Sequence, residues 1–367
     1  MATDSKKRVF AFEEGDGKNK HLLGGKGANL CEMTQIGLNV PPGFVLSTEA
    51  CLDFLASPTK DLPPGLWEEV QAQMTALEKK TKKGFGAADE PLLVSVRSGS
   101  AMSMPGMMDT ILNLGLNATT LKGVIKATGD ERFGYDAYRR FIQLFGKIAL
   151  NVDDAYFDKQ FELVKKAAGV KEDVALSASD LKDTAERFLR VVQEQTGRPF
   201  PEDPYEQLLI AIKAVFGSWG GKRAVDYRRQ FNITPAMANG TAVNICTMVF
   251  GNRGDDSGTG VGFTRDPGTG ENVLYGKVNA VAQVRTSVQM EKQGWNWRSS
   301  GAVRSSRTCW SASAASRRPS PTATRSGSTM CPARGRACRW RDWPRLMRRC
   351  WRRRPDEGPA PGLAPGA

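Results

Sequence analysis

A chain of 367 residues with 40% hydrophobic and 25% charged residues has the balance of a globular protein, and its length admits two or three domains. No apolar run approaches the ~20 residues of a membrane span. The opening MATDSKKRVFAFEEGDG fits neither a secretory signal nor a transit peptide, so the expectation is a cytoplasmic protein with reduced thiols. The net charge of +13 is a property of the tail alone: from Val284 onward 17 Arg and one Lys face four acids, while the 283 residues before it net −1. The basic balance therefore carries no nucleic-acid expectation for the folded part.

Taken in chain order, residues 24–46 (GGKGANLCEMTQIGLNVPPGFVL) read as a glycine turn, a helix and a strand. Ala28, Leu30, Met33 and Ile36 can face inward, Gly37 ends the helix, and Phe44, Val45 and Leu46 form a short buried strand. After Pro63 and Pro64, the spacing of Trp67, Val70, Met74 and Leu77 predicts an amphipathic helix over 66–80. LLVSV, 92–96, is a second buried strand, expected to deliver Arg97 to the sheet edge ahead of a flexible Gly-Ser-Met loop.

From about 117 to 230 the apolar period is helical, through Phe133, Tyr138, Phe141, Ile142 and Phe145, then Phe188, Leu189 and Val192 with Gly197 as a stop. Asp203-Pro204 reads as an N-cap with Pro at the first helical position, opening a helix that buries Leu208, Leu209, Ile212, Val215 and Phe216. After Gly240 the strands return in TAVNICTMVFG, GVGFTRDP and ENVLYG, separated by the turns GNRGDDSGTG and GTG in a hairpin-like layout.

The chain changes character near residue 280. Beyond Gln283 there is no Ile, Phe or Tyr, and neither apolar period survives among the Arg, Ser, Ala and Pro. Such a composition does not bury enough apolar surface to offset its ordering entropy, so the tail is expected to be largely disordered. It reads either as a basic arm for nucleic acid or an acidic membrane, or as out-of-frame or intronic sequence, since GC-rich DNA read out of frame yields this residue set. The second reading is the one adopted.

Several residues carry candidate chemistry. Lys26 stands between glycines at a helix start, where backbone N–H groups and the helix dipole favour an anion and an ammonium suits phosphate. The same residues also fit a surface lysine in a capping turn, and the Walker A spacing is absent. The planar fork of Arg97 can hold phosphate oxygens bidentately, or it can pair with an acid such as Asp109. Ser98, Gly99 and Ser100 add hydroxyls and a permissive backbone. Met102, Met104, Met107 and Met108 either pad a ligand wall or fill the core. Arg265 and Asp266 admit a metal or phosphate role or a turn-fixing ion pair. ICTMVFG admits a purine slot or an interior strand. The sole histidine, His21, is read as structural or exposed, which excludes multi-His metal sites.

Together, LLGGKGANLCEMTQIGLNVPPGFVLST, SVRSGSAMSMPGMMDTILNLGLN, RFGYDAYRRFIQLFGKI, DPYEQLLIAIKAVFGSW and TAVNICTMVFGNRGDDSGTGVGFTRDPGTGENVLYG resemble the pyruvate, phosphate dikinase family over roughly residues 7–276. The related phosphoenolpyruvate synthase class shares the GGKGANL start and differs at MSMPGMMDT. The resemblance implies an α+β fold: an ATP-grasp-like nucleotide-binding domain with a helical insertion, followed by the disordered tail. The expected divisions are 1–116 for the first α/β part, 117–239 for the helical insertion, 240–283 for an incomplete β part and 284–367 for the tail.

The resemblance further implies ATP as ligand, with Lys26 and Arg97 as the catalytic, phosphate-contacting cations. Ser98, Gly99, Ser100, Met108, Asp109 and Thr110 would line the nucleotide, and Thr247, Met248 and Val249 would meet adenine. In the family, a phosphoryl group passes from ATP to a histidine on a separate domain, then to phosphate and pyruvate, with Mg2+ required. A homodimer is the assembly that the resemblance implies. After ENVLYG the similarity stops. The magnesium carboxylates, the TSHAA-type histidine domain and the phosphoenolpyruvate-binding barrel are not found in this sequence, so no metal residue is assigned. The expectation is an ATP-binding but catalytically incomplete chain. The alternatives are a non-catalytic binding protein with a basic nucleic-acid-binding tail, or a piece of the phosphoenolpyruvate synthase class.

Overall fold

The computed structural model describes residues 7–253, 257–263, 266, 268–272, 275–280, 297–298 and 307–313. Its larger sheet is built from β1 (Val9–Ala11), β2 (Gly43–Leu46), β3 (Val94–Gly99), β4 (Thr110–Leu114) and β5 (Ala242–Thr247). Their order is β1-β2-β5-β3-β4, antiparallel throughout. The strand that closes this sheet at its centre, β5, thus arrives more than a hundred residues after its neighbour β3. A second sheet joins β6 (Ser257–Phe263), β7 (Tyr275–Ala280), β8 (Trp297–Arg298) and β9 (Arg307–Ser313) in the order β7-β6-β9-β8.

Helices α1 (Lys20–Gln35), α2 (Thr48–Ala56) and α3 (Leu66–Thr81) precede β3. Between β4 and β5 come α4 (Ala118–Thr128), α5 (Glu131–Ala149), α6 (Asp154–Ala167), α7 (Ala178–Thr196), α8 (Pro204–Ser218) and α9 (Lys222–Gln230). Local signals set their ends. Asn117 and Thr120 form a reciprocal capping box on α4, and Ser177 with Asp180 does the same on α7. Gly197 stops α7 with φ +70°, and Asp203 accepts from the Tyr205 N–H ahead of Pro204. The chain is α+β, a five-stranded antiparallel sheet with helices on both faces.

The two faces of the larger sheet bury different sets, as the two-residue period of a strand requires. Phe44, Val94, Val96, Ile111 and Ile245 enter a core shared with Phe141, Ile212 and Phe216 of the helical block. Val45, Ala242 and Cys246 turn the other way, against Ala28, Leu30 and Cys31 of α1. The helical block is therefore continuous with the sheet's core. Cys51 of α2 lies against the Phe216 carbonyl, and Lys213 of α8 pairs with Asp61 at 2.8 Å.

Four expectations are corrected. Arg97 does not reach a sheet edge: β3 runs on to Gly99 and lies between β5 and β4, which leaves Arg97 only 4% exposed. Ser98 and Gly99 belong to that strand, so the loop starts at Ser100. Ile36 is 70% exposed, because α1 ends at Gln35 and Ile36 caps it, projecting beyond the helix's buried face. The last strand extends further than ENVLYG: β7 shares Tyr275 and Gly276 with that segment and runs on to Ala280, pairing Tyr275 with Phe263 and Ala280 with Gly258, while residues 273–274 lie outside the described residues. Val70, Met74 and Leu77 are buried as expected, with Trp67 half-buried. In the tail, the described residues 297–298 and 307–313 are strand, β9 running parallel to β6. The remainder of the tail, the subject of the disorder expectation, lies outside the described residues.

Cys31, Cys51 and Cys246 are buried thiols outside any disulfide among the described residues. Burial pushes the Cys31 and Cys51 thiols up to about 12. At pH 8 neither is expected to react with iodoacetamide in the folded protein, and both should react once urea unfolds it. A folded pKa above the unfolded one means stability is full below the ordinary thiol value of ~8.5 and is lost as pH rises from there towards 12. Peptide mapping of the alkylated sites, with urea midpoints at pH 8 and pH 10, checks both. Equal labelling before and after unfolding contradicts the burial.

Candidate functional site

The GGKG segment does not start a regular helix. Asn19 caps a first turn by accepting from the Leu22 N–H, and α1 then breaks at Gly24, with φ +66° and ψ 163°. That backbone region is essentially reserved for glycine. The break turns the Gly25 N–H onto the Ser100 carbonyl at 2.9 Å. It also presses Gly24 on β3: a Cβ at Gly24 would stand 1.9 Å from the Gly99 carbonyl oxygen.

Gly99 is equally constrained. A Cβ there would lie 2.7 Å from Asn244 Nδ2 and 3.3 Å from Lys26 Cβ. Lys26 therefore leaves α1 beside Gly99. Arg97 is two residues earlier on the same side of β3, about 7 Å away by strand rise. Arg97 is directly opposite Thr110 on β4 and Asn244 on β5. The structure thus brings Lys26, Arg97, Gly99, Ser100 and Thr110 into one cluster, between the start of α1 and the face of the sheet. The Ser100 hydroxyl is 6% exposed and has no hydrogen-bond partner among the described residues. The positive end of the helix dipole and two long cations at one glycine-lined contact favour an anion.

The other residues are placed differently. Ser98 alternates to the opposite face of β3, and its N–H donates to the Asp109 carbonyl at 3.4 Å. The Asp109 carboxylate pairs at 2.8 Å with Arg223 of α9. Met104 is core, Met107 and Met108 are half-buried against it, and Met102 is exposed. Thr247 is anchored by its N–H and hydroxyl on the Pro42 carbonyl, at 3.0 and 2.9 Å, and the Met248 N–H donates to Leu93. With Val249 they line a cavity of about 290 Å³ closed by Leu92, Val124, Phe133 and Phe250, with Lys83 and Arg253 among its charged lining. This cavity lies at the end of β5, about 10 Å along the strand from Asn244. The sequence reading joins Thr247–Val249 with Lys26 and Arg97 in one site; in the structure Thr247 is the last residue of β5, three residues beyond Asn244, and Met248 and Val249 follow the strand.

His21 is exposed and contributes its carbonyl to the Thr48 hydroxyl. Asp266 accepts from the N–H groups of Gly268 and Thr269, a turn-fixing role, and Arg265 lies outside the described residues. Among the described residues no group of three or more His, Cys, Asp or Glu could hold a metal ion. Among the same residues no helix is long and apolar enough to cross a membrane. Asn244, buried between the two glycine segments, is the site residue that sequence reasoning passes over. An Asn inside an otherwise apolar strand is its only signal.

Fold and site together define a nucleotide-binding domain of the ATP-grasp-like class. Residues 20–62 and 58–288 match the family model described as "Pyruvate phosphate dikinase, AMP/ATP-binding domain", a match that runs past Gly276, where the motif resemblance stops. The chain is 61% identical over 276 residues to pyruvate, phosphate dikinase of Entamoeba histolytica, covering 75% of this chain and 31% of that protein. It is 49% identical over 288 residues to the enzyme of that name from Clostridium symbiosum, covering 76% and 33%. It is also 49% identical over 295 residues to the chloroplastic one from Flaveria trinervia, covering 77% and 30%. The chain belongs to the pyruvate phosphate dikinase AMP/ATP-binding domain family, and spans about a third of the length of the curated relatives it matches.

Proposed function

We propose that this chain binds ATP with its phosphates over the GGKG turn, Lys26 and Arg97 being the cations that meet them. One observation supports this most directly: the Gly24–Gly99 contact puts Lys26 on the face of β3 that carries Arg97. Ser100 and Thr110 border the same space, and Thr247, Met248 and Val249 line the cavity proposed for adenine. In the whole protein, the reading extends to the chemistry in its relatives' name: phosphoryl transfer from ATP towards phosphate and pyruvate, in the cytoplasm, by a homodimer. This stretch of chain supplies the nucleotide step and does not complete the transfer by itself.

The test is equilibrium binding of ATP and AMP to the native chain and to Lys26→Met and Arg97→Met. A charge-assisted hydrogen bond contributes about 1.5–3 kcal/mol, so each variant is expected to lose roughly ten- to a hundredfold in ATP affinity. AMP affinity should change much less. Folded variants that bind ATP as the native chain does would overturn the assignment of the two cations. Pyruvate-dependent ATP consumption by the isolated chain would overturn the incompleteness.

A further inference from the structure

We propose that Asn244 is a positioning residue for the phosphate cluster: its amide sets the spacing between the GGKG turn and the end of β3. This rests on the nucleotide reading above. Asn244 is fully buried and stands directly across from Arg97 on β5. Its side chain fills the space left by two missing Cβ atoms at once. A Cβ at Gly27 would be 2.8 Å from Asn244 Oδ1, and one at Gly99 would be 2.7 Å from Asn244 Nδ2. The two glycines belong to the two segments that carry Lys26 and Arg97.

The amide is also tied to the second cation through the backbone. Asn244 Nδ2 donates to the Arg97 carbonyl at 3.4 Å, while Oδ1 has no hydrogen-bond partner among the described residues. A buried polar atom held without a partner costs about 1–3 kcal/mol. An apolar side chain of similar size avoids that cost and makes neither contact as a polar one. Between α1 and β3 the closest ties are the Gly25–Ser100 hydrogen bond and the Gly24 packing on Gly99. Both lie at the outer end of the contact. Asn244 is the wedge at its inner end, and a wedge of fixed width determines how far Lys26 stands from Arg97. Interactions with an anion demand placement within about 0.5 Å, so its removal should reach the ligand without touching it.

The experiment uses the full chain and measures ATP and AMP affinity for Asn244→Ala, Asn244→Ser, Gly99→Ala and the double variant Asn244→Ala with Gly99→Ala. Circular dichroism and thermal midpoints follow folding. Asn244→Ala is expected to lower ATP affinity about tenfold and AMP affinity less than about twofold, the loss of one aligned charged contact. Gly99→Ala clashes with the amide and should lose ATP affinity too. In the double variant the new methyl occupies part of the vacated space, so its loss should be smaller than the product of the single losses. If Asn244→Ala does not fold, Asn244→Ser, which retains a polar atom in a smaller volume, carries the comparison. A native chain without preference for ATP over AMP sinks the nucleotide reading and this role with it. A native preference that the folded Asn244 variants retain, or independent losses in the double variant, overturns the positioning role alone.

Discussion

Gly24→Ala is expected to destabilise the chain by roughly 2–6 kcal/mol, combining about 1–3 kcal/mol of backbone strain with about 1–3 kcal/mol of overpacking. Two independent constraints meet at this residue. Its φ of +66° with ψ 163° is a conformation that an L residue with a Cβ resists. The space for that Cβ is taken by the Gly99 carbonyl oxygen at 1.9 Å and carbon at 2.6 Å. Both are backbone atoms of the sheet's interior strand, so no side-chain rotation relieves the clash. The comparison is Gly37→Ala, at φ +83° with nothing within 4 Å, which carries strain alone, about 1–2 kcal/mol. Urea unfolding of both variants separates the clash from the strain. Equal losses at the two glycines would mean that α1 moves off β3 freely. The contact that sets Lys26 beside Gly99 would then not be fixed by the fold.

What was legible in the sequence follows the range of the interactions involved. The Asp203-Pro204 start, the Gly197 stop and the inward Phe141, Ile142 and Phe145 depend on neighbours within a few residues, and they read directly. Arg97 was legible as a phosphate candidate but not as a buried residue. Its burial is created by β5, whose Asn244 lies 147 residues further on. A strand with one paired side and a strand with two have the same local pattern, so the sequence does not separate an edge position from an interior one. Ile36 shows the opposite limit. Its spacing from Met33 continues the helical period, yet the helix stops one residue too early for the period to apply. The Asp109 carboxylate was open to Arg97 by proximity in sequence, and the folded chain gives it Arg223 of α9 instead. In the candidate site, the residue types were readable because phosphate chemistry restricts them. The two glycine contacts and the Asn244 wedge were not, because each depends on the approach of two backbones distant in sequence. The same limit applies to Thr247–Val249: that β5 ends at Thr247, three residues beyond Asn244, depends on its pairing with β3 and β2.

Asp136→Ala is expected to cost about 3–5 kcal/mol, the penalty for stranding a buried charge. Asp136 and Arg139 lie one turn apart on the inward side of α5, with side chains 7% and 4% exposed. Arg139 donates from Nε to the carboxylate at 2.9 Å and places Nη2 at 2.8 Å. Arg140 donates to the second oxygen at 2.9 Å. The guanidinium is also stacked 4.3 Å above the ring of Phe161. Burial pulls Arg139 below its ordinary pKa, and the charge of Asp136 is what opposes it most. Without that carboxylate the nearest remaining acid is Asp173, 3.7 Å away and 45% exposed, where water weakens the attraction. The stranded cation, rather than the lost contacts, should dominate. The discriminating variant is therefore Asp136→Leu with Arg139→Met, which removes both charges and keeps apolar volume. Replacing a buried pair in this way is commonly neutral or stabilising by about 1–4 kcal/mol. Urea unfolding of the single and double variants decides between the two accounts. A double variant as unstable as Asp136→Ala would mean that the turn of α5 needs these polar groups for their hydrogen bonds. A single loss below about 1 kcal/mol would place the pair with exposed ion pairs, and the burial argument would fail.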